Sequence, residues 1–328
     1  MIGDKIMQVQ ELNFPQQMNI INQKPLVLAA GFFDGIHLGH QNVIKTAIRL
    51  AKTKQLPAGV LTFDRHPATV FGTNKSKEYQ YLSLPERKLE LLQKLGVDIV
   101  YIAKFNAEFS QLTPAKFVQE FLQQLNLDTL VAGFDWTFGP KNIANMQHLR
   151  TLAKHKFKVV EIPKLQFAEH KISSTNIKKY LANQQIEQAN LLLGYNYQNS
   201  GLVVHGRAVG RQLGFPTANL DISANQLLPT FGVYITRVQS GQKWYPAMTQ
   251  IGRNLTFNHG QNPITVEANI LNFNQDIYGQ ELKIEWLQYI REEIAFANEL
   301  QLIDQLKSDQ QVTQNYFEKK VAINLTQC

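Results

Sequence analysis

The amino-acid sequence predicts two domains of different class, a parallel α/β domain followed by an antiparallel β-barrel, and three observations predict them. Over the first 194 residues, short apolar runs alternate with helix-spaced segments, the pattern of a parallel sheet with crossover helices. After Gly194 the texture changes to short strands separated by Gly, Pro and Asn turns, the pattern of an antiparallel barrel. A chain of 328 residues is long for one core and comfortable for two. The domains are taken as 1–184 and 185–328, with the change in texture itself at Gly194 and Tyr195.

In the first domain, Pro25–Ala30 reads as a buried parallel strand and Gln41–Ala51 as a helix, with Val43, Ile44, Ala47, Ile48 and Ala51 on one face. Further strands are expected at Ala58–Phe63, Asp98–Ala103, Thr129–Gly133 and Lys158–Ile162, and helices at Pro85–Leu95 and Thr113–Leu125. The last opens on a capping Thr113 with Pro114 at the first helical position. A helical pattern from Tyr180 to Leu193 ends this half. Strands then follow at Gly201–Val204, Gly232–Val238, Tyr245–Thr249, Thr265–Leu271 and Glu281–Trp286, and a helix at Ala297–Ser308.

Composition narrows the class. A chain with 44% hydrophobic and 18% charged residues is globular rather than disordered. The longest apolar run, Leu26–Phe33, is too short to span a bilayer, and Met1–Phe14 lacks the pattern of a signal peptide, so no membrane partner and a cytoplasmic location are expected. Cys328 is the only cysteine, which excludes an intrachain disulfide and a thiolate metal site. Residues 1–194 hold 23 Lys+Arg against 15 Asp+Glu, and residues 195–328 hold 10 against 11. The basic excess is scattered, with no aromatic-interleaved stripe, helix-turn-helix or zinc finger, so nucleic acid is not expected as a partner. Some of these charges suit steering of anionic nucleotides.

The densest chemistry lies in Gly31-Phe-Phe-Asp-Gly-Ile-His-Leu-Gly-His40. It joins a strand end to a helix start, where free amides and a partial positive charge favour phosphate. His37 and His40 can donate to phosphate oxygens as charge develops, with Gly39 admitting the ligand. Two plainer readings stand beside this one, helix-start capping and a pair of metal ligands.

The block resembles the G-x-F-D-G-x-H-x-G-H signature of the nucleotidyltransferase superfamily, in the form carried by prokaryotic bifunctional riboflavin kinase/FAD synthetases. Three more segments resemble that family: Leu61–Pro67 its T-F-x-x-H-P, Val131–Gly139 its v-G-x-[DN]-F-x-F-G, and Lys171–Lys178 its i-S-S-T-x-I-R. In the second half, His205–Leu220 resembles the riboflavin kinase run G-x-x-x-G-R-x-L-G-F-P-T-A-N, Asp276–Gly279 its d-x-Y-G turn and Arg291–Phe296 its R-x-E-x-K-F loop.

The resemblance implies a Rossmann-like nucleotidyltransferase domain and a six-stranded flavokinase barrel with a terminal helix. It implies ATP, riboflavin, FMN and FAD as substrates and products, with Mg²⁺ as the cofactor. In the transferase, Gly31, Phe33, Asp34, Gly39, Asp135, Lys171, Ser173, Ser174, Thr175 and Lys178 would bind ATP and its phosphates around catalytic His37 and His40. In the kinase, Gly206, Gly210, Arg211, Gly214, Pro216, Thr217 and Asn219 would bind Mg-ATP, with Thr217 and Asn219 on the metal and Glu267 accepting the proton of the riboflavin 5′-hydroxyl. His66, Phe138, Asn269, Arg291 and Phe296 would bind flavin.

For Asp135 and His66 a structural role stands beside the functional one, and for Glu267 a place on the outer surface. The sequence departs from the family at Phe32, usually Asn; at Lys171 and Lys178, usually Arg; and at Leu255, Asn269 and Ala295. These departures keep open a kinase with weak or lost adenylylation, and the retained pockets keep open a non-catalytic flavin-binding regulator.

Overall fold

The computed structural model describes residues 6–15, 24–66, 69, 79–167, 170–206, 209–253 and 264–326. Pro67, Arg207, Ala208, the Asn254–Phe257 segment with Leu255, and Cys328 lie outside the described residues. The chain divides into two compact units, Met1–Ser174 and Thr175–Cys328.

The first unit is built on six parallel strands: β1 (Gln8–Leu12), β2 (Leu26–Ala30), β3 (Ala58–Phe63), β4 (Ile99–Ala103), β5 (Leu127–Gly133) and β6 (Lys158–Ile162), in the order β1-β4-β3-β2-β5-β6. β2 sits centrally and all five of its residues are buried, as expected of a strand covered on both faces. The strand order reverses between β2 and β5, and ligands in such sheets gather beyond the strand ends at that switch. Helix α1 (Leu38–Lys54) buries Val43, Ile44, Ala47 and Ala51, and α2 (Pro85–Leu95) has Pro85 at its first position and Gly96 as a left-handed C-cap.

Three expectations are corrected here. The sheet has a sixth strand, β1, whose Gln8-Val-Gln-Glu-Leu sequence is too polar and short to stand out; as an edge strand it needs apolar burial only at Leu12. The segment 114–125 is not one α-helix: Pro114–Lys116 passes into a π-helical turn over Phe117–Phe121 and a 3₁₀ turn over Leu122–Leu125. The wider turn lets Phe117 and Phe121 stack at 5.4 Å while Val118 and Leu122 are also buried. Finally, the helical run before Gly194 is two helices, α4 (Ser174–Ala182) and α5 (Ile186–Leu193), with α3 (Met146–Leu152) preceding them. Gln184 in the break takes a left-handed φ of 62°.

In the second unit a closed barrel runs β10-β13-β12-β11-β14-β9, built from β9 (Gln198–Val204), β10 (Ala218–Asp221), β11 (Gly232–Ser240), β12 (Lys243–Arg253), β13 (Ile264–Ile270) and β14 (Glu281–Arg291). The two-residue strands β7 (Gln166–Phe167) and β8 (His170–Lys171) form a ribbon before it in the chain. Asn190 of α5 holds the barrel wall, donating to the Trp286 carbonyl at 2.8 Å and accepting from the Tyr197 amide at 2.7 Å. The last helix, α6 (Glu299–Thr326), packs against β12. No helix among the described residues is long and apolar enough to cross a membrane.

Candidate active sites

In the first unit, the turn after β2 is forced by its sequence into an unusual path. Phe33 takes a left-handed conformation (φ 56°), followed by Gly35 (φ 77°) and Ile36 (φ 35°). A Cβ at Gly31 would lie 2.7 Å from the Phe33 ring, so glycine there is what lets that ring fold back. Asp34, buried, braces the turn: its carboxylate accepts from the Leu82 and Ser83 amides at 2.8 and 3.2 Å, and the Ser83 hydroxyl accepts from Gly35 N–H at 2.9 Å. The Tyr79 hydroxyl donates to the same carboxylate at 3.4 Å, and burial pushes its pKa up.

The turn delivers both histidines to the start of α1. His37 is the N-cap, its Nδ1 accepting from the His40 amide at 3.2 Å, so the capping reading holds for that nitrogen. With Nδ1 as acceptor, a neutral ring carries its proton on Nε2, the nitrogen left to donate to a ligand. The rings of His37 and His40 stack at 3.6 Å, and Gly39 makes room, since a Cβ there would lie 3.1 Å from the His37 ring. Burial lowers the His37 pKa to about 4; burial, then His37 and Lys88, hold His40 well below its ordinary value. Both are neutral at physiological pH. His40 Nδ1 is enclosed with no hydrogen-bond partner among the described residues.

The structure joins this turn to the start of α4, because Ser174 Oγ donates to the Asp34 carbonyl at 3.0 Å and Ile172 lies 3.8 Å from the Gly39 Cβ position. Lys171 is exposed on β8, Ser173 precedes α4, and Thr175 and Lys178 lie in its first turns. His66 stacks on Tyr79 at 4.4 Å and meets the edge of Phe32 at 4.8 Å, placing it beside the turn. Asp135 is exposed in the turn after β5, while Phe138 is committed to packing, with its ring 5.5 Å from both Phe117 and Trp136.

Sequence reasoning missed Lys88. It lies on the buried face of α2, one helical turn before Leu91 and Leu92, and its ammonium reaches the Phe32 carbonyl. A lysine in phase with that apolar stripe was the available signal.

In the second unit, the β10–β13 register sets Asn219 opposite Glu267, and the β12–β13 register sets Gln250 on the other side of Glu267. Thr217 Oγ1 donates to Glu267 Oε2 at 3.3 Å. Val266 and Ala268 are buried while Glu267 is half-buried and lines a cleft, so Glu267 is not an outer-surface residue. Gly210 and Thr217 line the same cleft, together with Asn269 and Arg291. Together with the open solvent at its mouth, the cleft spans about 720 Å³.

Asn269 is buried and donates to the Pro216 carbonyl at 2.7 Å, so it fixes the loop that carries Thr217. That loop bends through Gly214 (φ 85°), and Phe215 N–H closes it onto the Gly210 carbonyl at 2.7 Å. Arg211 and Pro216 are exposed upon it. Arg291 is held by Asp309 of α6 through Nε at 3.1 Å and a second nitrogen at 2.7 Å. Leu302 and Leu306 add an apolar wall. Asp309 and Leu302 were also missed, because nothing in the helix's own sequence shows which cleft it closes, although Leu306 was read as facing the barrel. Phe296 is half-buried outside the cleft lining.

Comparison with known proteins finds a family match for each half of the chain. The family model described as FAD synthetase matches residues 19–176, and that described as riboflavin kinase matches 193–317. The chain is 43% identical over 293 residues to a bifunctional riboflavin kinase/FMN adenylyltransferase of Listeria monocytogenes, covering 89% of this chain and 93% of the relative. It is 37% identical to the protein of the same description from Bacillus subtilis, covering 93% and 97%. Among solved structures it is similar to one described as a macrolide-efflux protein from Streptococcus pneumoniae, with a TM-score of 0.84, 34% identity and coverage of 93% and 99%. With both domains present in order, and relatives matched over nearly their full length, the chain belongs to the bifunctional riboflavin kinase/FMN adenylyltransferase family.

Proposed function

We propose that residues 185–328 phosphorylate riboflavin with Mg-ATP and that residues 1–184 adenylylate the FMN so formed. The family carries both activities, and this chain contains both of its domains, which favours the two-step reading over a kinase alone or a regulator. The observation that carries the residue assignment is the convergence of Thr217, Asn219 and Glu267 across the β10–β13 pair.

In the kinase, Glu267 accepts the proton of the riboflavin 5′-hydroxyl as that oxygen attacks the γ-phosphorus and ADP leaves. Arg291, aimed by Asp309, and the walls of the cleft hold the flavin. The donor set suits a hard cation, since Thr217 and Asn219 offer single oxygens. Thr217 and Asn219 would hold magnesium, which when bound neutralises charge between the phosphate oxygens of ATP. Gly206, Gly210 and Gly214 let the loop amides approach those phosphates.

In the transferase, an FMN phosphate oxygen attacks the α-phosphorus of a second ATP and pyrophosphate leaves. Neutral His37 and His40 donate to the phosphate oxygens as charge develops, at a helix start that already favours anions. Gly31, Phe33 and Asp34 shape the turn that aims them, Lys171 and Lys178 supply charge, and Ser173, Ser174 and Thr175 supply hydroxyls and amides. His66 lies where flavin would stack.

Incubation with riboflavin, ATP and Mg²⁺, followed by chromatographic separation of FMN and FAD, tests the proposal. FMN rising first and FAD following it supports the reading; FMN without FAD restores the kinase-only alternative, and neither product refutes it.

A further inference from the structure

Lys88 is only 6% exposed, yet both hydrogen-bond acceptors of its ammonium are neutral oxygens, the Phe32 carbonyl at 2.9 Å and the Thr62 hydroxyl at 3.3 Å. The same ammonium stands 4.3 Å from the centre of the Phe32 ring. Burying a cation whose hydrogen bonds go to neutral oxygens is costly relative to water, and the nearby Asp34 carboxylate offsets only part of that cost. A methionine would fill this place beside Leu91 and Leu92 without that cost, so packing does not explain the charge. Burial lowers the lysine pKa only to about 8, which leaves it mostly protonated near neutrality.

What the ammonium holds indicates its duty. The Phe32 carbonyl immediately precedes Phe33, and the positive φ values of Phe33 and Ile36 occur on the way to His37. Non-glycine residues in this region are strained and persist only where their surroundings over-determine them. Around this turn the clamps are Thr62 Oγ1 on the Phe32 carbonyl at 2.9 Å, Ser83 Oγ on Gly35 N–H, the Asp34 carboxylate on the Leu82 and Ser83 amides, and Lys88. Lys88 is the only cation among these clamps.

We infer that Lys88 is a positioning residue for adenylyl transfer: through the Phe32 carbonyl it holds the left-handed turn that aims His37 and His40 at the transferring phosphate. The inference rests on the assignment of those histidines to that reaction. It places the effect of Lys88 on turnover, because the ammonium acts on the loop and not on nucleotide affinity.

The test compares full-length Lys88→Met, Lys88→Arg and Thr62→Val with the parent, using supplied FMN and ATP, with equilibrium ATP binding as the check on fold. Lys88→Met is expected to lower kcat by roughly tenfold to a hundredfold, as for a small misplacement of catalytic groups. KM values for ATP and FMN are expected to stay within about threefold. Lys88→Arg, which keeps the charge and can reach the same carbonyl, is expected to hold kcat within about threefold of the parent. Thr62→Val is expected to fall between the two. A Met variant at the parental kcat, a loss confined to KM, or an Arg variant as impaired as the Met variant overturns the inference. Where Lys88→Met no longer binds ATP, a parental kcat in Thr62→Val, or an Arg variant that folds but has lost turnover, overturns it instead. A parent protein that makes no FAD from FMN sinks the transferase assignment and this inference with it, whereas the variant outcomes bear on Lys88 alone.

Discussion

Gly206 and Asn219 share one space: a Cβ at position 206 would lie 2.2 Å from Asn219 Nδ2 and 2.6 Å from its Oδ1. Carbon atoms do not approach polar atoms so closely, so Gly206→Ala must displace the Asn219 amide. The substitution is expected to lower riboflavin phosphorylation by roughly tenfold or more, as for misplaced catalytic groups. Adenylylation of supplied FMN should continue at the parental rate. Phosphorylation at the parental rate would show that Asn219 is not needed where the structure puts it.

The depressed pKa of His37 makes stability depend on pH. Its folded value of about 4 lies below the ordinary 6.5, so the folded state binds fewer protons than the unfolded one between those limits. Stability contributed by the neutral ring is therefore present above pH 6.5 and is lost as pH falls, by about 1.4 kcal/mol per unit until the ring protonates. His37→Asn keeps an oxygen to cap α1 and removes the titration. Thermal unfolding at pH 7 and pH 5 should show a loss smaller in the variant by on the order of 2 kcal/mol. Equal losses would mean that the imidazole stays solvated.

Much of the fold was legible because burial and pattern coincide. β3 and α2 match their predicted bounds, Ala58–Phe63 being an apolar run that Pro57 precedes and α2 beginning at Pro85 and ending at Leu95, before Gly96. The polar edge strand β1 and the π turn at Phe117–Phe121 were not legible, because the first has little apolar signal and the second answers to ring packing between residues four apart. In the sites, the motifs named His37, Thr217 and Glu267, but their meeting depends on register: Thr217 and Glu267 lie 50 residues apart in sequence. Asp309 and Lys88 carry no motif at all. They are identified only by what their charged ends reach.

Asp309, 1% exposed, grips Arg291 with both oxygens and accepts from Gln305 at 2.9 Å. Removing one partner of a buried pair strands the other, at a cost of roughly 3–5 kcal/mol. Asp309→Ala is expected to lower thermal stability by that order and to raise the KM for riboflavin, since Arg291 loses its aim. FMN adenylylation measured below the unfolding transition should not change. A destabilised variant with parental KM would make the pair purely structural.

Lys171, at the place where the resemblance leads one to expect arginine, lies on a strand that leads directly into Ile172 beside Gly39. An arginine grips two phosphate oxygens in a planar fork that lysine lacks. Lys171→Arg is expected to raise kcat/KM for ATP in adenylylation by roughly threefold to tenfold, a fraction of one charge-assisted hydrogen bond. Riboflavin phosphorylation should be unaffected. An unchanged or lower value would show that the lysine already serves the phosphates or lies away from them.

One chain is proposed to hold two separable sites, with Glu267 as the base of the kinase site. This assignment is tested most directly by following FMN and FAD in the Glu267→Gln variant, first from riboflavin and then from supplied FMN. Glutamine keeps the size of the side chain and cannot take the proton. FMN formation is expected to fall by at least roughly a hundredfold, within the range of general-base catalysis, while FAD formation from FMN proceeds at the parental rate. Riboflavin phosphorylation at the parental rate would contradict the role of Glu267, and a matching loss of both reactions would contradict the separation of the sites.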